Sequence, residues 1–281
     1  MNFCFVILHY RTSNDTIECI KSIQKLEGDY KIVIVDNASQ NGSIERVEAL
    51  FANNDEIVII KNTKNLGFAA GNNIGYAYAR TQIKADMIAV LNNDIVIKQK
   101  DFINRIFELY RNSQFHIAGP DIVSLVDGHH QSPVVEKINS ISKANKELFK
   151  YRILRIINKI GLYELMTRQP KKELNRISVA DPMRYQENVI LHGSFVIFSP
   201  LYVSEEECAF RPDTFMYMEE PILYEYCMLK NYKTVFDPSI VIYHKEDSST
   251  NSLYNAAYAK REFVFKNMIR SLKIYRSLLK K

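Results

Sequence analysis

Along residues 1–120, short apolar runs alternate with amphipathic stretches, the pattern of strands and helices in a parallel-sheet α/β fold. Asn2 to Leu8 predicts a first strand, and Ser13 or Asn14 caps a helix that ends near Leu26, where Gly28 and Asp29 supply a turn. Lys31 to Val35 predicts a second strand, Ser43 to Phe51 a helix and Glu56 to Ile60 a third strand. Gly67 to Arg80 reads as a helix rich in small residues, and Met87 to Leu91 as a fourth strand, apolar enough to be buried on both faces. The polar clusters His9 to Thr12, Asp36 to Gly42, Asn62 to Gly67 and Asn92 to Asp94 each lie just beyond the carboxyl end of a predicted strand. In open α/β sheets that edge binds ligands.

Further along, the pattern becomes less regular. Residues 127–187 are predicted to form an insertion with one or two amphipathic helices, and from Lys143 to Arg176 it carries ten Lys or Arg against three Glu. Such a charge run is either a solvated helix face or a surface for a membrane or an anionic acceptor. Regular structure returns with Val189 to Ser199, interrupted by His192, Gly193 and Ser194, then with a helix that has Pro221 at its first position, where proline is tolerated. That places Glu219 and Glu220 at the positive end of the helix. Thr234 to Tyr243 predicts a last strand ending in His244, and a final amphipathic helix begins near Leu253.

Composition adds little except at the C-terminus. The 281 residues are 47% hydrophobic and 25% charged, an ordinary globular balance with material for a sizeable core. The net charge is +5, and Tyr254 to Lys281 holds eight cations against Glu262 alone. The tail therefore either lies on an anionic membrane or docks on the body with a solvated basic face. Cys4, Cys19, Cys208 and Cys227 form no metal-binding or disulfide pattern and read as free thiols in a reducing compartment. The N-terminus has too short an apolar run for a signal peptide, and no segment approaches the roughly 20 apolar residues of a membrane span. The expectation is a cytoplasmic protein that touches the inner face of a membrane peripherally.

Three clusters carry candidate chemistry. Asp36 and Asn37 can accept from a ribose or a base N–H, or can make an ordinary Asp-Asn turn. Asn65, Gly67, Gly71 and Asn72 open a helix that either faces a phosphate with its N-terminus or packs closely through its glycines. Asn92 and Asp94, at alternate positions of an extended chain, offer two hard oxygen ligands for Mg²⁺ or Mn²⁺ shared with a diphosphate, or close a turn. The turn after the first strand, His9-Tyr10-Arg11-Thr12, lacks the glycines of a dinucleotide fingerprint and the glycine- and arginine-rich loop of a nucleotidyltransferase.

His9-Tyr10-Arg11, Asp36-Asn37-Ala38-Ser39, Asn65-Leu66-Gly67-Phe68-Ala69-Ala70-Gly71-Asn72-Asn73 and Leu91-Asn92-Asn93-Asp94 resemble, in order and spacing, the nucleotide-sugar half of the family 2 glycosyltransferases. Gly193-Ser194-Phe195 and Phe215-Met216-Tyr217-Met218-Glu219-Glu220 resemble its sugar-binding and acid-base segments. The resemblance spans Asn2 to Ser249 and implies a GT-A fold with a mostly parallel central sheet flanked by helices. Residues 1–250 would form this domain, with the basic insertion at about 127–187, and 251–281 the basic C-terminal helix. It implies an inverting, metal-dependent transfer of a sugar from a UDP- or dTDP-type donor to a glycan or lipid-diphosphate-linked acceptor, in capsule, O-antigen or related bacterial surface polysaccharide synthesis. Asp94 inherits the main metal-ligand role for Mn or Mg, with His244 joining it, and Asn92 stands where the family usually has a carboxylate. Glu220 inherits the role of catalytic base, shared or exchanged with Glu219. Lys245, Ser248, Ser249 and Thr250 would close over the diphosphate. The reading from another class is a non-catalytic nucleotide-sugar or glycan binding protein of the same fold; no nucleic-acid motif accompanies the basic tail.

Overall fold

A computed structural model describes residues 1–135, 138–166, 179–246 and 257–280. The first half follows the predicted alternation closely: β1 (Phe3–His9), α1 (Ser13–Ile23), β2 (Tyr30–Asp36), α2 (Ser43–Phe51), β3 (Ile57–Lys61), α3 (Gly67–Tyr78) and β4 (Met87–Asn92). β5 (Ile95–Ile97), α4 (Phe102–Ser113) and β6 (Ile117–Ser124) come next, then α5 (Ile141–Lys159) and α6 (Tyr163–Met166) within the insertion. β7 (Gln186–Glu187), β8 (Phe195–Phe198), α7 (Pro200–Glu205), α8 (Glu219–Lys230), β9 (Thr234–His244) and α9 (Ala257–Leu278) complete the order.

The strands form one sheet in the order β3-β2-β1-β4-β8-β6-β9-β5, with β7 on β9. β1, β2, β3 and β4 are mutually parallel. Antiparallel neighbours enter where β8 pairs with β4 and where β5 and β7 pair with β9. The GT-A architecture implied by the motifs is the one observed. Strand alternation builds two cores. Phe3, Phe5, Ile7, Ile32, Ile34, Ala89, Leu91, Phe195 and Ile197 face one layer with α1, α2 and α4. Cys4, Val6, Val33, Val35, Ile88, Val90, Val196 and Phe198 face the other, with α3 and α7. A fully buried aromatic such as Phe5 contributes about 3 kcal/mol or more in such a setting.

Chain order moves outward on opposite sides of β1, to β2 and β3 one way and to β4 the other, so the carboxyl ends of β1 and β4 border a topological switch, the place where ligands sit in such sheets. α3 lies over β1 and β2 because Gly71 and Gly75 let it: added Cβ atoms would stand 2.8 Å from Leu8 Cδ1 and 2.3 Å from Val6 Cγ1. Of the two readings of that glycine run, close packing accounts for these positions.

α8 begins at Glu219 rather than at Pro221. Tyr217 and Met218 before it are both left-handed, with φ of 75° and 71°. Two such residues in succession are costly and persist only where surrounding contacts impose them, typically at functional sites. α9 turns Phe265, Leu272, Tyr275 and Leu278 inward, against α8 and α5, and exposes Lys266, Arg270 and Lys273. The described residues contain no helix long and apolar enough to cross a membrane. Ser248, Ser249, Thr250, the first residues of the tail and residues 167–178 of the insertion lie outside the described residues.

Candidate active site

The loops after β1, β2 and β3 are bound to one another by their own polar side chains. His9, fully buried, places Nδ1 2.6 Å from Thr16 Oγ1 and Nε2 2.9 Å from Ser43 Oγ. Burial pushes its imidazole down from the ordinary range, against the pull of Asp36 and Glu45. It therefore ties β1 to α1 and α2. Asn37 Nδ2 donates to Asn65 Oδ1 and to the Gly67 carbonyl, both at 3.1 Å, while its Oδ1 accepts from Leu66 N at 2.9 Å. Asn93 Nδ2 donates to Thr12 Oγ1 at 2.7 Å and to Thr16 Oγ1 at 2.9 Å. These three residues hold the edge in shape.

Other members of the predicted set lie along the same sheet edge. Asp36, at the tip of β2, accepts from the Ser39 backbone and hydroxyl, and the same hydroxyl accepts from Arg11 N at 2.9 Å. Arg11, Ala38 and Gln40 are all left-handed, a concentration of strain around one carboxylate. Among the described residues, Arg11 Nε and Asn72 Oδ1 are buried without a hydrogen-bond partner. Tyr10 lies beside Arg11, whose guanidinium stands 5.3 Å from the ring centroid. Gly67 must be glycine: its φ is +80°, and a Cβ would sit 2.1 Å from the Phe215 carbonyl oxygen, to which Phe68 N donates at 2.7 Å. That contact brings the segment before α8 to the start of α3.

Beyond β4 the chain turns at Asn93 and Asp94 instead of running on extended, so Asp94 reaches its position through a turn, with half-buried Asn92 at the strand end. Asp94 is buried, and its Oδ1 lies 3.2 Å from His244 Nε2 without a hydrogen bond between them. His244 Nδ1 is 2.8 Å from Gln131 Oε1, and Gln131 Nε2 donates to Glu246 Oε1 at 2.8 Å. Gln131 Oε1 can only accept, so Nδ1 carries a hydrogen, and Nε2 faces the carboxylate either with its lone pair or with a second N–H. With a proton on Nε2 the two groups make an ion pair; with the lone pair there they are two acceptors that a cation would join. Neighbouring ligands around an octahedral Mg²⁺, with bonds of about 2.1 Å, are about 3 Å apart, so the spacing of the pair fits a divalent ion, toward which Gln131 would orient the His244 ring. Asp127, His129 and Glu246 also bring ligand atoms within 4.8 Å of one another, but Asp127 Oδ1 already pairs with His129 Nδ1 at 2.6 Å.

The turn His192-Gly193-Ser194 joins this pair to the acids of α8. Asn92 N donates to the Ser194 carbonyl at 2.9 Å, the His192 ring is 6.0 Å from that of His244, and Gly193 N donates to Glu220 Oε1 at 3.3 Å. A Cβ at Gly193 would meet Glu220 Oε1 at 2.8 Å, so glycine is what admits the carboxylate. Burial raises the Glu220 carboxyl, offset in part by the Gly193 N–H. Glu219 is more deeply placed: burial, then the charge of Glu220, push it up to about 8, and its Oε1 has no hydrogen-bond partner among the described residues. Lys245 is engaged by Asp15 and Glu18 on α1. His192, absent from the predicted set, is held neutral with its pKa lowered to about 3, by burial first and then by His244; its signal in the sequence was a histidine next to Gly-Ser.

The model of the family described as "Glycosyl transferase family 2" matches residues 4–186, well over half of the chain. The chain belongs to this family. The match takes in the nucleotide-side loops and Asp94, while Gly193, Glu220 and His244 lie beyond it. A low-salt glycan biosynthesis hexosyltransferase, Agl10, of Haloferax volcanii is 26% identical over 120 residues, which span 42% of this chain and 36% of the relative. S. aureus TarS 1–349 in complex with UDP-GlcNAc superposes with a TM-score of 0.56 at 12% identity, over 96% of this chain and 65% of that one. The same protein in complex with UDP gives 0.54 at 11% identity, over 96% and 71%. At such identities these structures establish the shared fold.

A raised carboxyl makes stability depend on pH. Glu219 binds its proton more tightly folded than unfolded, so its contribution is complete below the unfolded value, near 4.5, and is lost as pH rises through about 8. His192, with its lowered value, acts in the opposite sense between about 3 and 6.5. Above pH 6.5 the Glu219 effect stands free of that histidine, so the wild-type Tm is expected to fall between pH 6.5 and 8.5, and Glu219→Gln to flatten that slope in a calorimetric pH series. An unchanged slope would show that Glu219 is ionised throughout.

Proposed function

We propose that the protein transfers a sugar, with inversion, from a UDP- or dTDP-type nucleotide sugar to a hydroxyl of a glycan or lipid-linked acceptor, in a reaction dependent on Mn²⁺ or Mg²⁺. The observation that carries this reading is the convergence of the Asp94–His244 ligand pair with Glu220 across the Gly193 turn, at the switch edge of a family 2 sheet. Support for the donor class comes from the nucleotide complexes of TarS, and for a glycan product from the biosynthetic role named for the H. volcanii relative.

In this mechanism Asp36 and the loops after β1 and β3 receive the nucleoside, and Arg11 approaches its phosphates. Asp94 and His244 would hold the divalent ion, with Asn92 beside them; when bound, it neutralises charge developing on the diphosphate leaving group. Glu220 accepts the proton of the acceptor hydroxyl, a step that needs a carboxylate within hydrogen-bond reach. The acceptor oxygen bonds to the anomeric carbon as the bond to the diphosphate breaks on the opposite face, so configuration inverts. A carboxyl raised by partial burial is a stronger base once ionised. Glu219, protonated near neutrality, stays in reserve behind it. The acceptor belongs to surface polysaccharide synthesis, approached from the cytoplasmic side.

The test is release of nucleoside diphosphate from a panel of UDP- and dTDP-sugars with glycan and lipid-linked acceptors. Metal-dependent turnover of one donor class, with a product of inverted anomeric configuration by NMR, is the expected result. Donor binding without turnover across the panel would replace this reading with that of a non-catalytic binding protein.

A further inference from the structure

α5 carries a feature that sugar transfer does not use. Its outward face holds Phe149, Ile153, Ile156 and Ile160, exposed by 65%, 39%, 59% and 60%. At 100° per residue these positions fall in one stripe about 60° wide, which Leu162, 44% exposed, extends just past the helix. Cations border it on both sides: exposed Lys143, Lys146 and Lys150 on one, exposed Arg152 and Lys159 on the other. The opposite face is committed to the protein. Ala144, Leu148 and Asn158 are buried, Arg155 pairs with Glu262 of α9 at 2.6 Å, and Asn158 accepts from Arg261 at 2.8 Å. The amphipathic helix thus has three zones: a packed side, two cationic flanks and an apolar crest. Large apolar residues in a contiguous exposed row signify an interaction surface.

We infer that this crest is a docking surface for an anionic phospholipid bilayer, with α5 lying in the interfacial plane, Phe149, Ile153, Ile156 and Ile160 in the acyl boundary and the flanking Lys and Arg at the headgroups. Charge complementarity selects this occupant: five cations frame the crest, and since Glu147 pairs with Lys150 at 3.0 Å, the net excess along it is four positive charges. An interfacial helix has this distribution of apolar and cationic residues. Of the two readings of the C-terminal tail, α9 takes the docked one, for it turns its apolar residues inward, and the crest of α5 is a different element. α9 instead links α5 to the acid-bearing segment. Phe263 stacks edge-on with Phe215 at 5.9 Å and Tyr217 at 6.4 Å, and Ser271 Oγ donates to the Met216 carbonyl at 3.2 Å. A membrane bound at α5 therefore lies one helix away from the turn that positions Glu219 and Glu220. The inference stands whether or not the reaction proposed above is correct.

The test is flotation of the full chain with vesicles of phosphatidylglycerol and phosphatidylcholine, against phosphatidylcholine alone. The wild type is expected to float with the anionic vesicles, less so as salt rises, and to stay behind with the neutral ones. Lys146→Glu with Arg152→Glu should weaken partitioning by roughly 25-fold or more, since each cation near an anionic surface is worth about fivefold. Phe149→Ser with Ile156→Ser, both at exposed positions, should keep the wild-type Tm and lose most of the binding. Absence of flotation at low salt, or equal flotation by wild type and both double variants, would overturn the inference. So would sedimentation showing a wild-type dimer that the serine variant abolishes while vesicle binding persists, which would assign the crest to a second copy of the chain.

Discussion

Asp94→Ala should abolish metal-dependent donor binding while leaving weaker, metal-independent binding of the nucleoside. The expectation follows from the pair at 3.2 Å: among the described residues Asp94 is the carboxylate that faces His244 Nε2, and its buried Oδ1 has no hydrogen bond of its own. Outer partners of a metal ligand are typically worth about 10–100-fold in affinity, so loss of a direct carboxylate ligand should cost about 100-fold or more in Mn²⁺-dependent affinity, read by calorimetry with a UDP- or dTDP-sugar. Gln131→Leu, which removes the acceptor of His244 Nδ1–H, belongs to the smaller class. Wild-type affinity in Asp94→Ala would remove Asp94 from the metal site.

Glu220→Gln should reduce kcat by about 10³, within the range for a general base, and leave donor affinity within a few-fold. The amide keeps the shape of the side chain and can still accept the Gly193 N–H, so folding and the 192–194 turn are preserved. The substitution removes only the capacity to take a proton. Glu219→Gln should have the milder effect on kcat, because Glu219 is already protonated near neutral pH. The reverse order of severity would exchange the two roles. Activity should rise with pH through the ionisation of Glu220, whose carboxyl lies above the usual carboxylate range.

Much of the N-terminal half was legible because its strands are buried on both faces and its helices carry one apolar stripe, two patterns that survive in a single sequence. β6 was not legible: Gly119 and Pro120 interrupt it, and its register on β9 shifts at Pro120/Asp121. β5 has three residues, too few for a period. The start of α8 was placed at Pro221 on a rule for helix-initiating proline, whereas the left-handed Tyr217 and Met218 start the helix two residues earlier.

The motif loops lie together at one sheet edge, but residue type could not separate groups whose polar atoms are spent on the scaffold from groups left without a partner. Asn37, Asn93, His9 and Asp36 are as polar as Asp94, yet their hydrogen bonds run to Asn65, Thr12, Thr16, Ser43 and Ser39, whereas Asp94 Oδ1 has none among the described residues. Gly71 and Gly75 serve packing for the same reason, their neighbours being known only in three dimensions. Gln131 had no signal at all, since its importance depends on a contact with His244 across 113 positions of chain. His192 does leave a signal, as a histidine preceding a Gly-Ser pair at a strand start.

The proposed site at the edge between β1 and β4 requires a nucleotide sugar to bind there through a divalent ion. Calorimetric titration of UDP, dTDP, GDP, CDP and their common sugar conjugates, with Mn²⁺ and again with EDTA, tests it most directly. Binding of the UDP or dTDP class that is strong with Mn²⁺ and collapses in EDTA is the predicted result; no binding by any nucleotide, or binding indifferent to the chelator, would contradict it.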